Sequence, residues 1–240
     1  MGAREARLIA ARPLSPSVKS LTFRTEDGRP VGHVSGQYFD FTIRTASGAM
    51  SKRAYSVASR PDPASPSTFE IAVTRVPGGA TSEAMHALSL GDVVSIDGPR
   101  GKFVLDRQRG DEAAIFIATG TGLSPIRAML AEELLGSSHQ RLVLLFGCRT
   151  PADILWADEL RAWEWISPRF RMHVSLSRAP EDWDGLTGYV QNHIRSVVGP
   201  LGNAQAYICG LTAMVDEVTE RLTGEDGGLP WESLHYEIYD

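Results

Sequence analysis

The feature that most constrains this 240-residue chain is a change of rhythm near residue 106. Before it, short runs rich in Val, Ile, Phe and Tyr follow one another with only turns between them. Strands are expected at Arg7–Arg12, Val18–Arg24, Gln37–Thr45, Ala54–Ser59, Thr68–Arg75 and Val93–Ile96. Asp27-Gly28, Ser47-Gly48, Pro61 to Pro66, Pro77-Gly78-Gly79 and Gly91-Asp92 punctuate them, and one short helix is expected near Ser82–Leu88. Short strands at regular turn spacing predict a small antiparallel barrel. After residue 106, apolar strands alternate with helices. Strands are expected at Ala113–Ala118, Arg141–Phe146, Phe170–Leu176, Ala206–Cys209 and Leu234–Ile238. The helices between them are expected at Ser124–Leu135, Asp153–Trp165, Tyr189–Val197 and Ala213–Leu222. This alternation predicts a parallel sheet covered on both faces. The domains are read as 1–106 and 107–240, with the boundary in the charged Asp106–Glu112 segment.

Composition narrows the function. Two cysteines, Cys148 and Cys209, cannot staple a disulfide-dense fold. They also cannot supply the four thiolates of a plant-type iron–sulfur cluster, so such a centre would sit on another chain. The six histidines, His33, His86, His139, His173, His193 and His235, make no HxxxH pair, and no metal site is expected. The net charge of −5 argues against nucleic acid as a partner. That charge is unevenly spread. Residues 1–106 carry 13 Lys and Arg against 10 Asp and Glu, whereas residues 107–240 carry 11 against 19. This is either drift in surface composition or a basic barrel half that faces an anionic partner. Arg4, Arg7 and Arg12 interrupt the first residues, and the longest uncharged apolar run, Ala113 to Ile126, is too short and Gly-rich to span a bilayer. A cytoplasmic monomer with no membrane partner is expected.

The strongest local motif is Thr119-Gly120-Thr121-Gly122-Leu123-Ser124-Pro125, between a buried strand and a helix. Glycines let a ligand approach the backbone, and a helix start offers free N–H groups to phosphate. The same residues also suit a tight turn. Pro125 replaces the third Gly of a dinucleotide fingerprint. The next strands end in Cys148-Arg149 and Ser177-Arg178, where two arginines either grip a 2′-phosphate or stand in solvent. In the first half, Arg53-Ala54-Tyr55-Ser56 puts a cation and an aromatic ring on one strand face, suited to a flat anion or to simple packing. Gly78-Gly79-Ala80-Thr81-Ser82 is read as a turn into a helix with two hydroxyls at its N-cap, an ordinary cap or a second phosphate cradle.

Taken in order, Arg53–Ser56, Gly78–Ser82, Gly98–Phe103, Thr119–Pro125 and Cys209-Gly210 resemble the ferredoxin–NADP⁺ reductase family across essentially the whole chain. The resemblance implies an antiparallel Greek-key barrel that binds FAD, followed by a doubly wound α/β domain that binds NADP or NAD, with no fused ferredoxin domain. It assigns Arg53 to the flavin pyrophosphate, Tyr55 to stacking on the flavin, and Ser56 to flavin N5. Ala54 and the strand Ile71, Ala72 and Val73 would supply main-chain contacts, with Gly79, Thr81 and Ser82 completing the pyrophosphate site. Gly120, Thr121 and Gly122 would hold the nicotinamide nucleotide, Thr119, Cys209 and Gly210 would lie beside the nicotinamide, and Ser177, Arg178 and Tyr189 would contact the adenosine phosphate, with Arg149 the further 2′-phosphate candidate from the strand ends. Family members often carry Lys before that Tyr, whereas Thr187-Gly188 stands here. Ser56, Cys209, Glu237 and Tyr239 are the implied catalytic set. Tyr239 would stack on the flavin face and give way to nicotinamide, although Asp240 follows it. The implied activity is electron transfer from NAD(P)H through FAD to a separate ferredoxin or similar small protein. An oxygenase reductase component or a free-standing flavin or small-molecule reductase is the alternative, and a scaffold subunit without turnover would need none of the catalytic set.

Overall fold

The computed structural model describes residues 2–106, 113–136, 141–198 and 203–239. The first half is built from β1 (Arg4–Pro13), β2 (Val18–Thr25), β3 (Tyr38–Arg44), β4 (Met50–Ser56), β5 (Thr68–Thr74) and β6 (Val93–Arg100). They pair antiparallel in the order β4-β3-β6-β1-β2-β5. A bridge between Val57 and Ile71, and the Ala58 N–H on Glu70 O at 2.7 Å, join the two edge strands and close the barrel. β2 pairs with β5, and β6 returns between β1 and β3, which is a Greek-key path.

Alternation drives this barrel. Phe39, Phe41 and Ile43 of β3, Phe69, Ile71 and Val73 of β5, and Val94 and Ile96 of β6 are buried in one core. The Phe rings pack on each other, with centroids 5.3 Å apart for Phe23–Phe41 and 5.1 Å for Phe39–Phe69. Burying each such ring stabilises the fold by about 1.5–3 kcal/mol. Helix α1 (Ala80–Ala87) lies on β3, β4 and β5 and sends Met85 into the same core.

The second half is a six-stranded sheet in the order β10-β9-β8-β7-β11-β12, every pair parallel. Its strands are β7 (Ala113–Thr119), β8 (Leu142–Cys148), β9 (Phe170–Leu176), β10 (Leu186–Thr187), β11 (Ala204–Gly210) and β12 (Leu234–Ile238). β7, β8 and β11 are buried almost end to end, as expected for strands covered on both sides. Ala114, Phe116 and Ala118 face one core with α2 (Leu123–Leu135) and α3 (Ala157–Ile166). Ile115 and Ile117 face the other, with the single turn α4 (Ile194–Val197) and α5 (Thr212–Thr223). The chain passes from β7 to β8 on one side, whereas β11 lies on the other, so a crevice forms beyond Thr119 and Gly210. The first core also takes in Val18, Ala58, Ala72 and Phe103 from the barrel. Barrel and sheet therefore share one apolar seam, and α2 runs through it.

Several expected boundaries change. The strand expected at Ala54–Ser59 is β4, Met50–Ser56, because the Thr45–Ala49 turn around Gly48 (φ 84°) starts the return strand early. The helix expected at Asp153–Trp165 is a 3-10 turn, Pro151–Asp153, followed by α3. The Thr150 N–H and hydroxyl both donate to Asp153 Oδ2, at 3.1 and 2.8 Å, which closes the chain into the tighter turn first. The helix expected at Tyr189–Val197 is a 3-10 turn, Val190–His193, and then α4. The two-residue strand β10 is unanticipated. Of the expected boundary segment, residues 107–112 lie outside the described residues, as do His139 and Asp240.

Candidate functional site

The crevice is lined by chain turns that only small residues permit. Thr119 ends β7, Gly120–Gly122 make one 3-10 turn, and α2 follows. Gly120 has φ 52°, a left-handed conformation. A Cβ on Gly122 would meet Cys209 O at 2.3 Å, so only glycine lets this loop lie against β11. Tyr239 leaves β12 and covers the loop. Its N–H donates to Gly210 O at 3.1 Å, and its hydroxyl donates to Thr119 O at 2.6 Å.

Across the seam stands the end of β4. Ser56 Oγ donates to Glu237 Oε1 at 3.0 Å, joining barrel and sheet. Glu237 is the register partner of Cys209, which pairs on its other side with Ala118. Ser56, Glu237, Cys209 and Thr119 are thus brought to one place from residues up to 181 apart in sequence. Burial raises the Glu237 carboxyl, and the Ser56 hydrogen bond only partly offsets it. Burial, reinforced by Glu237, raises the Cys209 thiol well above its ordinary range, so it is a small neutral side chain rather than a thiolate. Lys102, Phe103, His235, Tyr236 and Glu237 line a cleft of about 300 Å³ beside this cluster.

On the barrel, Arg53 and Ala54 are exposed on β4, and Tyr55 is half-buried, its ring edge-on to Phe41 at 5.5 Å. Burial pushes the Tyr55 hydroxyl up to about 12. Ile71 and Val73 put their side chains into the barrel core, and Val73 O lies 2.8 Å from His86 Nε2. Of the expected N-cap hydroxyls, neither caps. Gly79 is the N-cap, and Thr81 and Ser82 sit in the first turn of α1. Ser82 Oγ accepts from Val76 N and donates to Gly79 O, folding the Gly-Gly turn, while Thr81 bonds the Ser51 hydroxyl. At the far strand ends, the Ser177 and Arg178 N–H groups donate to Cys148 O and Arg149 O, at 3.0 and 2.8 Å. This sets Arg149 and Arg178 on neighbouring exposed chain ends, and Tyr189 is also exposed.

Residues 5–105 match the oxidoreductase FAD-binding domain family, and residues 116–220 match the oxidoreductase NAD-binding domain family. A ferredoxin–NADP reductase B of Sorangium cellulosum is 43% identical over 98% of this chain and 97% of its own length. The chain belongs to the ferredoxin–NADP reductase family. The P5 protein of phenol hydroxylase from Acinetobacter pittii is 32% identical over 91% of this chain, which spans 61% of that protein. A solved ferredoxin–NADP⁺ reductase of Neisseria gonorrhoeae with FAD and NADP has the same fold, with TM-score 0.84 at 19% identity and 99% of both chains covered.

The residues present fit the family's nucleotide site. Thr119 Oγ1 and Ser124 Oγ are buried polar atoms with no hydrogen-bond partner among the described residues, and both belong to the Gly-rich turn into α2. Buried hydroxyls without a partner are costly unless a ligand takes them up.

Sequence reasoning missed several interdomain contacts among the described residues. Thr74 Oγ1 reaches Thr121 Oγ1 at 3.4 Å, Tyr207 OH accepts from Asp106 N at 2.8 Å, and Arg127 of α2 bonds Glu70 of β5. A signal for the last was present, since a lone Arg among apolar helix positions must find a partner.

Proposed function

We propose that this chain, with a barrel domain of residues 1–106 and a nucleotide domain of residues 107–240, is an FAD-dependent NAD(P)H oxidoreductase. It passes electrons to a separate ferredoxin or similar small redox protein. The observation that carries the reading is the Ser56–Glu237 hydrogen bond across the seam, with Cys209 in register beside it. It sets a donor hydroxyl of the flavin half against the nicotinamide side of the nucleotide half.

The chemistry a bound FAD would supply is hydride acceptance and one-electron release. The chain binds, orients and shields. Arg53, with the first turn of α1 at Gly79, Thr81 and Ser82, would hold the flavin pyrophosphate. Tyr55 offers a flat apolar wall, and the backbones of Ala54 and Ile71–Val73 flank it. Gly120, Thr121 and Gly122 would cradle the nicotinamide nucleotide, with Arg149, Ser177, Arg178 and Tyr189 on its adenosine side. Thr119 and Gly210 bound the nicotinamide position. Glu237 keeps its proton to higher pH than an ordinary carboxyl and accepts a hydrogen bond from the Ser56 hydroxyl. Tyr239 covers the Gly-rich loop and must move for a nicotinamide to reach Ser56.

The similarity to phenol hydroxylase P5 favours one second reading, the reductase component of an oxygenase. Both readings need a bound flavin. Purified and reconstituted protein is expected to show two visible flavin bands, and a protein that cannot retain FAD would refute either. Arg178→Ala is expected to weaken NADPH use about tenfold against NADH, and an unchanged ratio would remove Arg178 from the phosphate site. An acidic ferredoxin steered to the basic barrel would lose rate with salt, whereas a neutral dye would not.

A further inference from the structure

Arg127 stands on α2 in a stretch where Leu123 to Leu130 are all buried, and it is itself 9% exposed. Its guanidinium divides between the two halves of the molecule. Within its own half, Nε and Nη2 donate to Glu159 Oε2 and Oε1 of α3 at 2.8 and 3.0 Å. Toward the barrel, Nη1 donates to Ala58 O at 2.7 Å and to Glu70 Oε2 at 3.0 Å. The Trp156 ring lies 4.7 Å from the guanidinium carbon, and its Nε1 donates to Glu70 Oε1 at 3.2 Å. Trp156 holds a left-handed backbone (φ 49°, ψ 34°), a conformation a bulky residue keeps only where its surroundings over-determine it.

The barrel acceptors are close in sequence to the candidate flavin site. Ala58 follows Ser56 by two residues and donates its N–H to Glu70 O, and Glu70 immediately precedes Ile71. A guanidinium is planar, permanently charged and rigidly forked, so its donors fix the relative placement of the groups they bind. Here those groups belong to two bodies that must present their reacting edges to each other. A misplacement near 1 Å between such edges costs about 100-fold in rate.

We propose that Arg127 is a positioning residue for hydride transfer. By tying Ala58 and Glu70 of the barrel to α2 of the sheet half, it sets how the Thr119–Cys209 edge approaches Ser56. This rests on the flavoprotein reading above.

The test uses the full chain reconstituted with FAD, in parallel with Arg127→Lys, Glu70→Gln and Glu159→Gln. Three quantities are read: the anaerobic flavin-reduction rate constant at saturating NADPH or NADH, the nucleotide Kd, and amide exchange at Ala58 in the flavin-free protein. Arg127→Lys and Glu70→Gln are expected to slow reduction about tenfold or more, with Kd changed less than about threefold. Both are expected to speed Ala58 exchange. Glu159→Gln, which cuts only the pair within the sheet half, is expected to change the rate less than about threefold. An unchanged rate in Arg127→Lys, an equal loss in Glu159→Gln, or a change confined to Kd would overturn the proposal. If Arg127→Lys does not fold, the contrast between Glu70→Gln and Glu159→Gln decides alone. Failure of either nucleotide to reduce the unsubstituted protein would instead sink the flavoprotein reading.

Discussion

Glu70 and Glu237 are both carboxylates on the seam between barrel and sheet, yet their surroundings push their proton affinities in opposite directions. Burial raises both. At Glu70 that effect is outweighed by Arg127, the Ser20 hydroxyl, the Trp156 indole and Arg12, and the net shift is downward. Glu237 has the Ser56 hydroxyl to oppose its burial, and the net shift is upward. A carboxylate held ionised beside a guanidinium is a fastener. One kept poor in counter-charge, against a hydroxyl and a neutral thiol, holds its proton to higher pH than an ordinary carboxyl. The same seam thus carries one contact suited to holding and one suited to reacting.

The largest expected break in this comparison is at the fastener. Glu70→Gln leaves Arg127 buried with Glu159 as its remaining carboxylate, and is expected to cost about 3 kcal/mol of stability. Denaturant unfolding of the flavin-free protein checks it, and a loss below about 0.5 kcal/mol would make the network incidental. Ser56→Ala comes next. It is expected to slow flavin reduction about 100-fold while FAD is retained, read by anaerobic rapid mixing. Parent-like rates would take the Ser56–Glu237 pair out of the chemistry.

The smallest effect sharpens the contrast by its sign. The depressed Glu70 contributes stability that is present above its ordinary value of 4.5 and is lost as pH falls. The penalty of Glu70→Gln should therefore shrink below that pH. The raised Glu237 acts in reverse. Its carboxyl ionises more easily in the unfolded chain, so the parent loses stability as pH rises above 4.5, and Glu237→Gln should gain on it over that window. Thermal melts of the three proteins from about pH 2.5 to pH 7 measure both slopes, that of Glu70 below pH 4.5 and that of Glu237 above it. Slopes of one sign would erase the distinction.

Both halves of the fold were legible because each repeats a burial period. Phe39, Phe41 and Ile43 alternate, and Ala113–Ala118 is apolar throughout. What escaped had no such period. Met50–Arg53 is a strand whose residues are mostly exposed, so no apolar pattern marks it. The Thr150–Asp153 turn depends on side chains bonding their own backbone, which periodicity does not register. At the site, the Gly-rich turn at Thr119 announced itself, while Ser56, Cys209, Glu237 and Tyr239 emerged from family resemblance rather than from pattern. The Arg127–Glu70 pair spans 57 residues and two domains. Its charge in an apolar helix face signalled burial, but only the folded chain names the partner.

The central claim is that this seam carries hydride from a nicotinamide nucleotide to a flavin. Anaerobic titration of the FAD-reconstituted protein with NADPH, and separately with NADH, tests it most directly. The account predicts that one of the two bleaches the visible flavin bands with an end point near one nucleotide per flavin. Bands that persist through excess of both nucleotides, with FAD still bound, would mark a binding module without turnover and contradict it.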